Sequence, residues 1–185
     1  MMMMTRSFEA SGDPISLAQM LERREARFAA QQTLLSRFGR TLAQLTLVNP
    51  GPVKDTTQAR FVFDQGLGAL QEALNQAGFA VLAFEGSYYA TGPEMLVAID
   101  ADPLSVKRKM LEIEEHHPLG RLWDVDVIDA LGASVSRQRL DLPARLCLLC
   151  DEAAHACARS GAHALHDLQR VVQDKIFAYR HGLAG

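Results

Sequence analysis

The segment W-D-V-D-V-I at 123–128 constrains the fold of this chain more than any other feature. Side chains alternate between the two faces of a β-strand, so Asp124 and Asp126 would share one face while Val125 and Val127 point the opposite way. Aspartate is depleted in strand interiors, yet here it occurs twice within an apolar, β-branched run. The pattern therefore predicts a strand embedded in a sheet, with a polar face that has a function.

Two carboxylates held this close repel each other, and a divalent cation relieves such repulsion. We therefore predict that Asp124 and Asp126 bind Mg²⁺. Arg121, just upstream after Gly120, supplies a guanidinium that suits a phosphate, because it can donate two parallel hydrogen bonds. On the residues alone a second interpretation stays open, in which the aspartates only end a strand in a solvated turn.

Length and charge limit the classes of protein to consider. The 185 residues suffice for one domain with a sizeable core, and the formal net charge of −3 gives no general attraction to nucleic acid or anionic membranes. No apolar segment approaches the roughly 20 residues that cross a bilayer, and no signal sequence follows Met1 to Met4. We expect a cytoplasmic protein with a disordered extension over 1–14 and a single catalytic domain over 15–182.

Periodicity predicts an α/β domain, a mixed β-sheet flanked by helices, in the order α-β-α-β-β-α-β-β-α. The first helix would begin after a Ser16 cap, end at Gly39 and bury Leu17, Leu21, Phe28 and Leu35. Its basic side is either a solvated face or a docking surface, and it consists of Arg23, Arg24 and Arg27. Further helices are predicted at 55–77, 102–116 and 164–179, and strands at 41–49, 79–89, 95–100 and 120–129.

Three cysteines cluster between Cys147 and Cys157, unlike a secreted disulfide framework. A C-x-x-C turn directs two thiolates at one tetrahedral centre, so zinc bound by Cys147, Cys150, Cys157 and His155 is one interpretation. Buried reduced thiols and a redox pair are the alternatives. The later His163 is a phosphate-binding, zinc-binding or structural residue.

Two basic segments are candidates for anion binding. Lys54 lies in the rigid loop N-P-G-P-V-K-D at 49–55, near a predicted helix N-terminus that also favours anions, and a purely structural turn is the alternative interpretation of this loop. Lys107 and Arg108 belong to a helix that also carries several glutamates. An exposed face is the simpler interpretation of that helix, and a phosphate contact by Lys107 or Arg108 is the alternative.

Several motifs in this order resemble the citrate lyase holo-acyl-carrier-protein synthases, also called apo-citrate lyase phosphoribosyl-dephospho-CoA transferases. The resemblance covers nearly the whole chain after about Ile15. It rests on S-L-A-Q-M-L-E-R-R-E-A-R at 16–27, N-P-G-P-V-K-D at 49–55, T-G-P-E at 91–94, H-P-L-G-R-L-W-D-V-D-V at 117–127, R-L-C-L-L-C at 145–150 and A-H-A-C-A-R-S-G-A-H at 154–163.

The resemblance implies a nucleotidyltransferase that moves a prosthetic group from triphosphoribosyl-dephospho-CoA to a serine of the acyl carrier subunit of citrate lyase, releasing diphosphate. Polymerase-beta-type nucleotidyltransferases also carry a carboxylate pair on a strand. Their usual upstream Gly-Ser is replaced here by Gly120 and Arg121, which weakens that analogy of fold.

In that reaction Asp124 and Asp126 would hold the metal, and Arg121 and Lys54 are the first candidates to bind the triphosphate. Arg137, Arg159 and His163 are further substrate-binding candidates. Either Asp129 or Asp100 would be a third carboxylate. Two other classes stay open: a non-enzymatic zinc-stabilised adaptor that binds the carrier subunit, and a nucleotide-binding regulator without turnover.

Overall fold

Four strands and five α-helices follow one another in the computed structural model, which describes residues 12–183. The helices are α1 (Leu17–Phe38), α2 (Thr57–Gln76), α3 (Pro103–His116), α4 (Ala154–Ser160) and α5 (Leu165–Arg180). The strands are β1 (Thr41–Leu47), β2 (Ala80–Tyr89), β3 (Gly92–Asp100) and β4 (Trp123–Ile128). The disordered extension predicted for 1–14 lies mostly outside the described residues. Of its last residues, Gly12 donates a backbone hydrogen bond to the Asp55 carbonyl.

The strands form one sheet in the order β2-β3-β1-β4, and all three pairings are antiparallel. The predicted α/β class with flanking helices is confirmed. The expected mixture of parallel and antiparallel pairs is absent from the described sheet, and so is the fifth strand predicted after 129. The segment after β4 instead forms a short 3-10 helix at Arg137–Leu140 and isolated bridges, since Pro143 and the left-handed Asp141 interrupt an extended course. A nucleotidyltransferase-like topology stays a prediction.

The two faces of the sheet bury different sets of side chains. On one face α2 and α3 pack over the inward residues of β1, β3 and β4, with Phe63, Leu70 and Trp123 fully buried. On the other face α1 contributes Leu34 and Leu35 to a smaller cluster that includes Leu42, Leu96, Ala98 and Ile128. Asp124 and Asp126 lie on this second face, because they alternate with the buried residues of β4.

Helix α1 has the predicted ends but not the predicted buried face. Ser16 and Gln19 form the reciprocal capping box, and Gly39 closes the helix in the left-handed conformation. Leu17, Leu21 and Phe28 are exposed, so the predicted apolar face is wrong except at Leu35. The basic residues explain the rotation, because Arg23 and Arg27 turn toward the sheet and each forms an ion pair with the buried Glu94.

The C-terminal third wraps along the edge of the sheet near β4. Residues 143–163, which we call the cysteine arm, lead into α5, which returns to the main core through Ile176. Within the described residues, none of the helices combines the length and apolar character that a membrane-spanning segment needs.

Candidate active site

Asp124 and Asp126 project from the same face of β4. Both are exposed, while Trp123, Val125 and Val127 between and beside them are buried, so the geometry expected from the alternation is confirmed. In the register of the sheet Asp124 lies opposite Thr46 of β1, and Asp126 lies opposite Gln44. The rigid sheet therefore holds two neighbouring carboxylates in fixed positions.

The electrostatics of this pair suit a cation. Asp126 is open to solvent at one side but crowded by protein on the others, and this partial burial raises its pKa, with the negative charge of Asp124 as the next contribution. Lys107 and Arg27 act in the opposite direction without cancelling the effect. The two carboxylates therefore disfavour each other's charge, which a divalent ion between them would reverse.

Helix α3 fixes the backbone of β4 between the two aspartates. The Lys107 ammonium donates to the Val125 carbonyl at 2.8 Å, and the Val125 amide donates to the Glu114 carboxylate at 2.8 Å. Both side chains are buried. Lys107 is thus a structural residue of the site and does not reach outward to a phosphate.

Arg121 and Arg145 lie beside Asp124 at one end of β4. Arg121 donates to the carbonyls of Leu146 and Cys147, and burial lowers its pKa, with the positive charge of Arg145 as the next contribution. Arg145 donates to the Arg121 carbonyl at 2.7 Å, and its other terminal nitrogen is 3.4 Å from Asp124 Oδ1. Two guanidinium groups this close repel each other, which an anion bound between them would relieve.

A cavity of about 580 Å³ opens between the end of β4 and the cysteine arm. Its walls are mostly apolar, and its charged lining residues are Arg121, Arg145 and Asp124, with Asn49, His155 and His163 as further polar residues. Ligand sites commonly have this composition, with apolar walls and a few convergent polar groups. The cavity is therefore the best candidate for binding an organic substrate that carries phosphate groups.

The three cysteines converge with His163 into a group that could hold a metal such as zinc. Their ligand atoms all lie within 4.8 Å of one another, and Cys150 Sγ is 3.5 Å from Cys157 Sγ and 3.3 Å from His163 Nε2. Tetrahedral zinc with bonds of about 2.0–2.3 Å requires ligand separations of about 3.5–3.8 Å. Backbone amides of Leu149 and Cys150 also donate to the Cys147 thiol, against the effect of burial, and lower its pKa to about 7.

His155 does not belong to this group, contrary to the predicted ligand set. It precedes Cys157 by two residues on α4, and residues two apart on a helix face in nearly opposite directions. His155 instead lines the large cavity. Gly161, in the left-handed conformation, ends α4 and reverses the chain so that His163 returns to the thiols.

The other predicted substrate-binding residues occupy three different places. Lys54 lines a second, smaller cavity, whose lining also includes Thr46. Arg137 forms ion pairs with Glu114 and Glu115 and does not line the large cavity. Arg159 is exposed near the end of α4 and also lies outside the lining of that cavity.

Neither candidate for a third carboxylate faces the pair on β4. Asp129 accepts the amides of Leu131 and Ala133 and so stabilises the turn after the strand. Asp100 pairs with Arg40 at one end of β3, and Thr46 lies near the opposite end of that strand. The buried carboxylate nearest to the pair in the register is Glu94. Leu45 pairs with Met95, so Glu94 lies beside Thr46, on the same face of the sheet as Asp124.

Arg145 and Glu114 are the functional residues that the sequence analysis missed. A signal existed for Glu114, because Lys107, Leu111 and Glu114 follow a spacing of four and three residues and so share one helix face. Because Leu111 on this face is apolar, the pattern indicates that Lys107 and Glu114 beside it are buried as well. Arg145 gave no such signal, since its contact with Asp124 joins residues 21 positions apart.

Comparison with known proteins identifies the family of this chain. The family model described as apo-citrate lyase phosphoribosyl-dephospho-CoA transferase matches residues 15–179. A Citrobacter koseri protein of that name is 41% identical over 160 residues, which is 86% of this chain and 87% of the relative. Proteins of the same name from Escherichia coli O1:K1 and Shigella boydii serotype 18 are each 38% identical over 159 residues, 86% of this chain and 87% of theirs. The chain belongs to the family of apo-citrate lyase phosphoribosyl-dephospho-CoA transferases.

Proposed function

We propose that this protein transfers the phosphoribosyl-dephospho-CoA group from triphosphoribosyl-dephospho-CoA to a serine of the apo acyl carrier subunit of citrate lyase, in the cytoplasm, with release of diphosphate. The observation that carries the proposal is the carboxylate pair of β4, of which Asp124 lines a large and mostly apolar cavity together with Arg121 and Arg145. A long organic donor with a triphosphate matches both parts of that arrangement. Membership of the transferase family supports the same reaction.

Asp124 and Asp126 would hold magnesium in this reaction, and their mutual repulsion supports that role. When bound, the ion neutralises charge on the phosphoryl oxygens and favours loss of the serine proton. Arg121 and Arg145 would orient the donor by pairing with its phosphate oxygens, since guanidinium groups bind such oxygens two at a time. The sheet and the hydrogen bonds from Lys107 and Glu114 of α3 to Val125 hold the aspartates rigidly, so the acceptor meets a preformed site.

The proposed transfer is tested by the intact mass of the carrier subunit after incubation with donor, magnesium and this protein. Asp124→Asn keeps the shape of the side chain but removes its charge, and we expect transfer to fall by roughly a thousandfold or more. Asp100→Asn is the matched control, because Asp100 is exposed and pairs with Arg40 at the far end of β3. Full transfer by Asp124→Asn, with no dependence on magnesium, would exclude this mechanism, whereas no transfer by the wild-type protein would favour an adaptor or a regulator.

The same proposal includes zinc at Cys147, Cys150, Cys157 and His163. The ligand distances, the C-x-x-C turn and the amide donors to Cys147 support it. We expect purified protein to contain one zinc ion per chain, measured by mass spectrometry of the metal. His163→Asn should lower that content strongly, whereas the neighbouring His155→Asn should not. Equal zinc loss in both variants would contradict this ligand set.

A further inference from the structure

Three segments that the reaction above leaves without a detailed role meet in a second cavity of about 140 Å³. They are the loop after β1, the turn between β2 and β3 with its T-G-P-E sequence, and the N-terminal half of α1. The volume is many times the roughly 10–15 Å³ that a single water requires. The polar and charged side chains that line this cavity are those of Arg27, Thr46, Asn49, Lys54, Thr91 and Glu94.

Lys54 brings a half-buried positive charge to this cavity. Its ammonium donates to the Asn49 carbonyl, and no carboxylate of residues 12–183 lies within salt-bridge distance of it. Burial lowers the pKa of Lys54, which means that the surrounding protein disfavours the positive charge of this side chain. A bound anion would supply the missing counter-charge.

Thr91 brings a hydroxyl that the described protein leaves unused. Its Oγ1 is buried and has no hydrogen-bond partner within the described residues. Buried hydroxyls are normally satisfied, and one that is not indicates a ligand or a water at the site. Thr91 lies in the turn, directly before Gly92, and it lines the same cavity as Lys54.

The arginines of α1 add to the positive charge. Arg23 and Arg27 both pair with Glu94, at 2.6 Å and 2.8 Å respectively. Of the two guanidinium groups that face Glu94, that of Arg27 lines the cavity, and Lys54 adds a second cation to the lining. The lining therefore carries a positive balance that favours an anionic ligand.

The small cavity lies close to both Asp124 and the large cavity. Thr46 lines the small cavity and is the cross-strand partner of Asp124, while Asn49 lines both cavities. A donor that spans the two cavities would therefore place its organic part in the large one and its outer phosphates in the small one.

We propose that this small cavity binds the two outer phosphates of the donor, which leave as diphosphate; this assignment rests on the proposed function. In the transfer the serine oxygen forms a bond to the phosphorus next to the ribose. The bond from that phosphorus to the bridging oxygen breaks, its electron pair leaves with the diphosphate, and the serine proton passes to water. Lys54 and Thr91 bind the departing group and stabilise its growing charge.

The test uses inorganic diphosphate without magnesium, titrated calorimetrically into the full-length protein. We expect Lys54→Gln to raise the dissociation constant about tenfold or more, Thr91→Val to raise it about fivefold, and Lys54→Arg to keep it within about threefold. Lys109→Gln on the exposed side of α3 and Thr33→Val on α1 are the matched controls, with wild-type affinity expected. Circular dichroism establishes that each variant is folded.

Unchanged affinity in folded Lys54→Gln would overturn the assignment, and Thr91→Val decides in the same way if Lys54→Gln does not fold. A loss of diphosphate binding in Arg145→Gln but not in Lys54→Gln would place the diphosphate in the large cavity instead. The mass assay of the carrier reports separately on the transfer. If diphosphate binds through Lys54 but no transfer occurs, the anion site is supported and the proposed function is refuted. If transfer occurs but diphosphate does not bind through Lys54, only the anion site is refuted.

Discussion

Gly120 lies against the end of α3, one residue before Arg121. A Cβ at this position would collide with the carbonyl oxygens of Ile113 and Glu114. Glycine is therefore required at this position because two backbone segments approach each other closely, and not because the chain needs flexibility there. Because Arg121 and Asp124 follow directly, a displacement here would move both of them.

At this residue scale we expect Gly120→Ala to lower the free energy of unfolding by about 1–3 kcal/mol and to reduce transfer, because the strand must shift outward. Gly68→Ala is the control, since Gly68 lies exposed within α2 with open space around it, and there alanine should stabilise by up to about 1 kcal/mol. Urea denaturation and the mass assay measure the two effects. Wild-type stability in Gly120→Ala would show that the two segments separate without cost.

Single residues also mark the limit of prediction from the sequence. The alternation in W-D-V-D-V-I was enough to predict that Asp124 and Asp126 share a face, because that relation is local. The choice of His163 over His155 depends on the direction of α4 and on the turn at Gly161, which spacing alone did not reveal. Contacts such as that of Arg145 depend on how distant segments pack.

At the scale of elements, α3 and β4 form a unit through two buried charges. The Val125 amide and carbonyl bond to Glu114 and Lys107, and Arg137 also pairs with Glu114. The bounds of both elements were predictable from the Asp102 cap, from Pro103 and from the apolar alternation. Their attachment was not, because charged residues on a helix usually face solvent.

We expect Glu114→Ala to lower the free energy of unfolding by about 3–5 kcal/mol, because it leaves the buried Val125 amide without its acceptor and removes the buried charge that pairs with Arg137. Glu114→Gln keeps an oxygen for the Val125 amide and should cost less. Denaturation by urea compares the two, with Glu112→Gln on the exposed side of α3 as control. Equal losses in both variants of Glu114 would contradict the assigned hydrogen bond.

The pH dependence of stability has a definite sign at Glu114. Burial raises its pKa, so between the unfolded value of about 4.3 and the raised native value the native state binds more protons than the unfolded state. The free energy of unfolding contributed by Glu114 therefore falls as pH rises through that window and is constant above it. Relative to Glu114→Gln, wild-type stability should decline across this window, and a rise would contradict the direction of the shift.

At the scale of the whole molecule, the sheet with α1, α2, α3 and α5 forms the core, and the cysteine arm is an attachment to it. Apart from Cys157, the arm contributes no residue to the buried apolar set of the described chain. Its position depends on the cluster of Cys147, Cys150, Cys157 and His163, which could hold a metal, and on the hydrogen bonds between Arg121 and the carbonyls of Leu146 and Cys147. The α/β class was predictable from periodicity, whereas an arm without a periodic pattern was not.

Metal removal should therefore act on one part of the molecule. After treatment with a zinc chelator we expect faster amide hydrogen exchange in residues 143–163 and unchanged exchange in β1, β3 and β4, together with loss of transfer. Mass spectrometry of peptides locates the change, and added zinc should restore both properties. Global loss of protection would mean that the metal stabilises the core itself.

The outer edge of β4 limits how another protein can approach the aspartates. Lys107 and Glu114 occupy the backbone groups of Val125, and the Val135 amide occupies the carbonyl of Val127. These backbone groups are not available to an incoming chain, which hinders extension of the sheet on that side. If the proposed transfer holds, we expect the acceptor serine to be presented on a loop or a helix end that enters over the open face of the sheet.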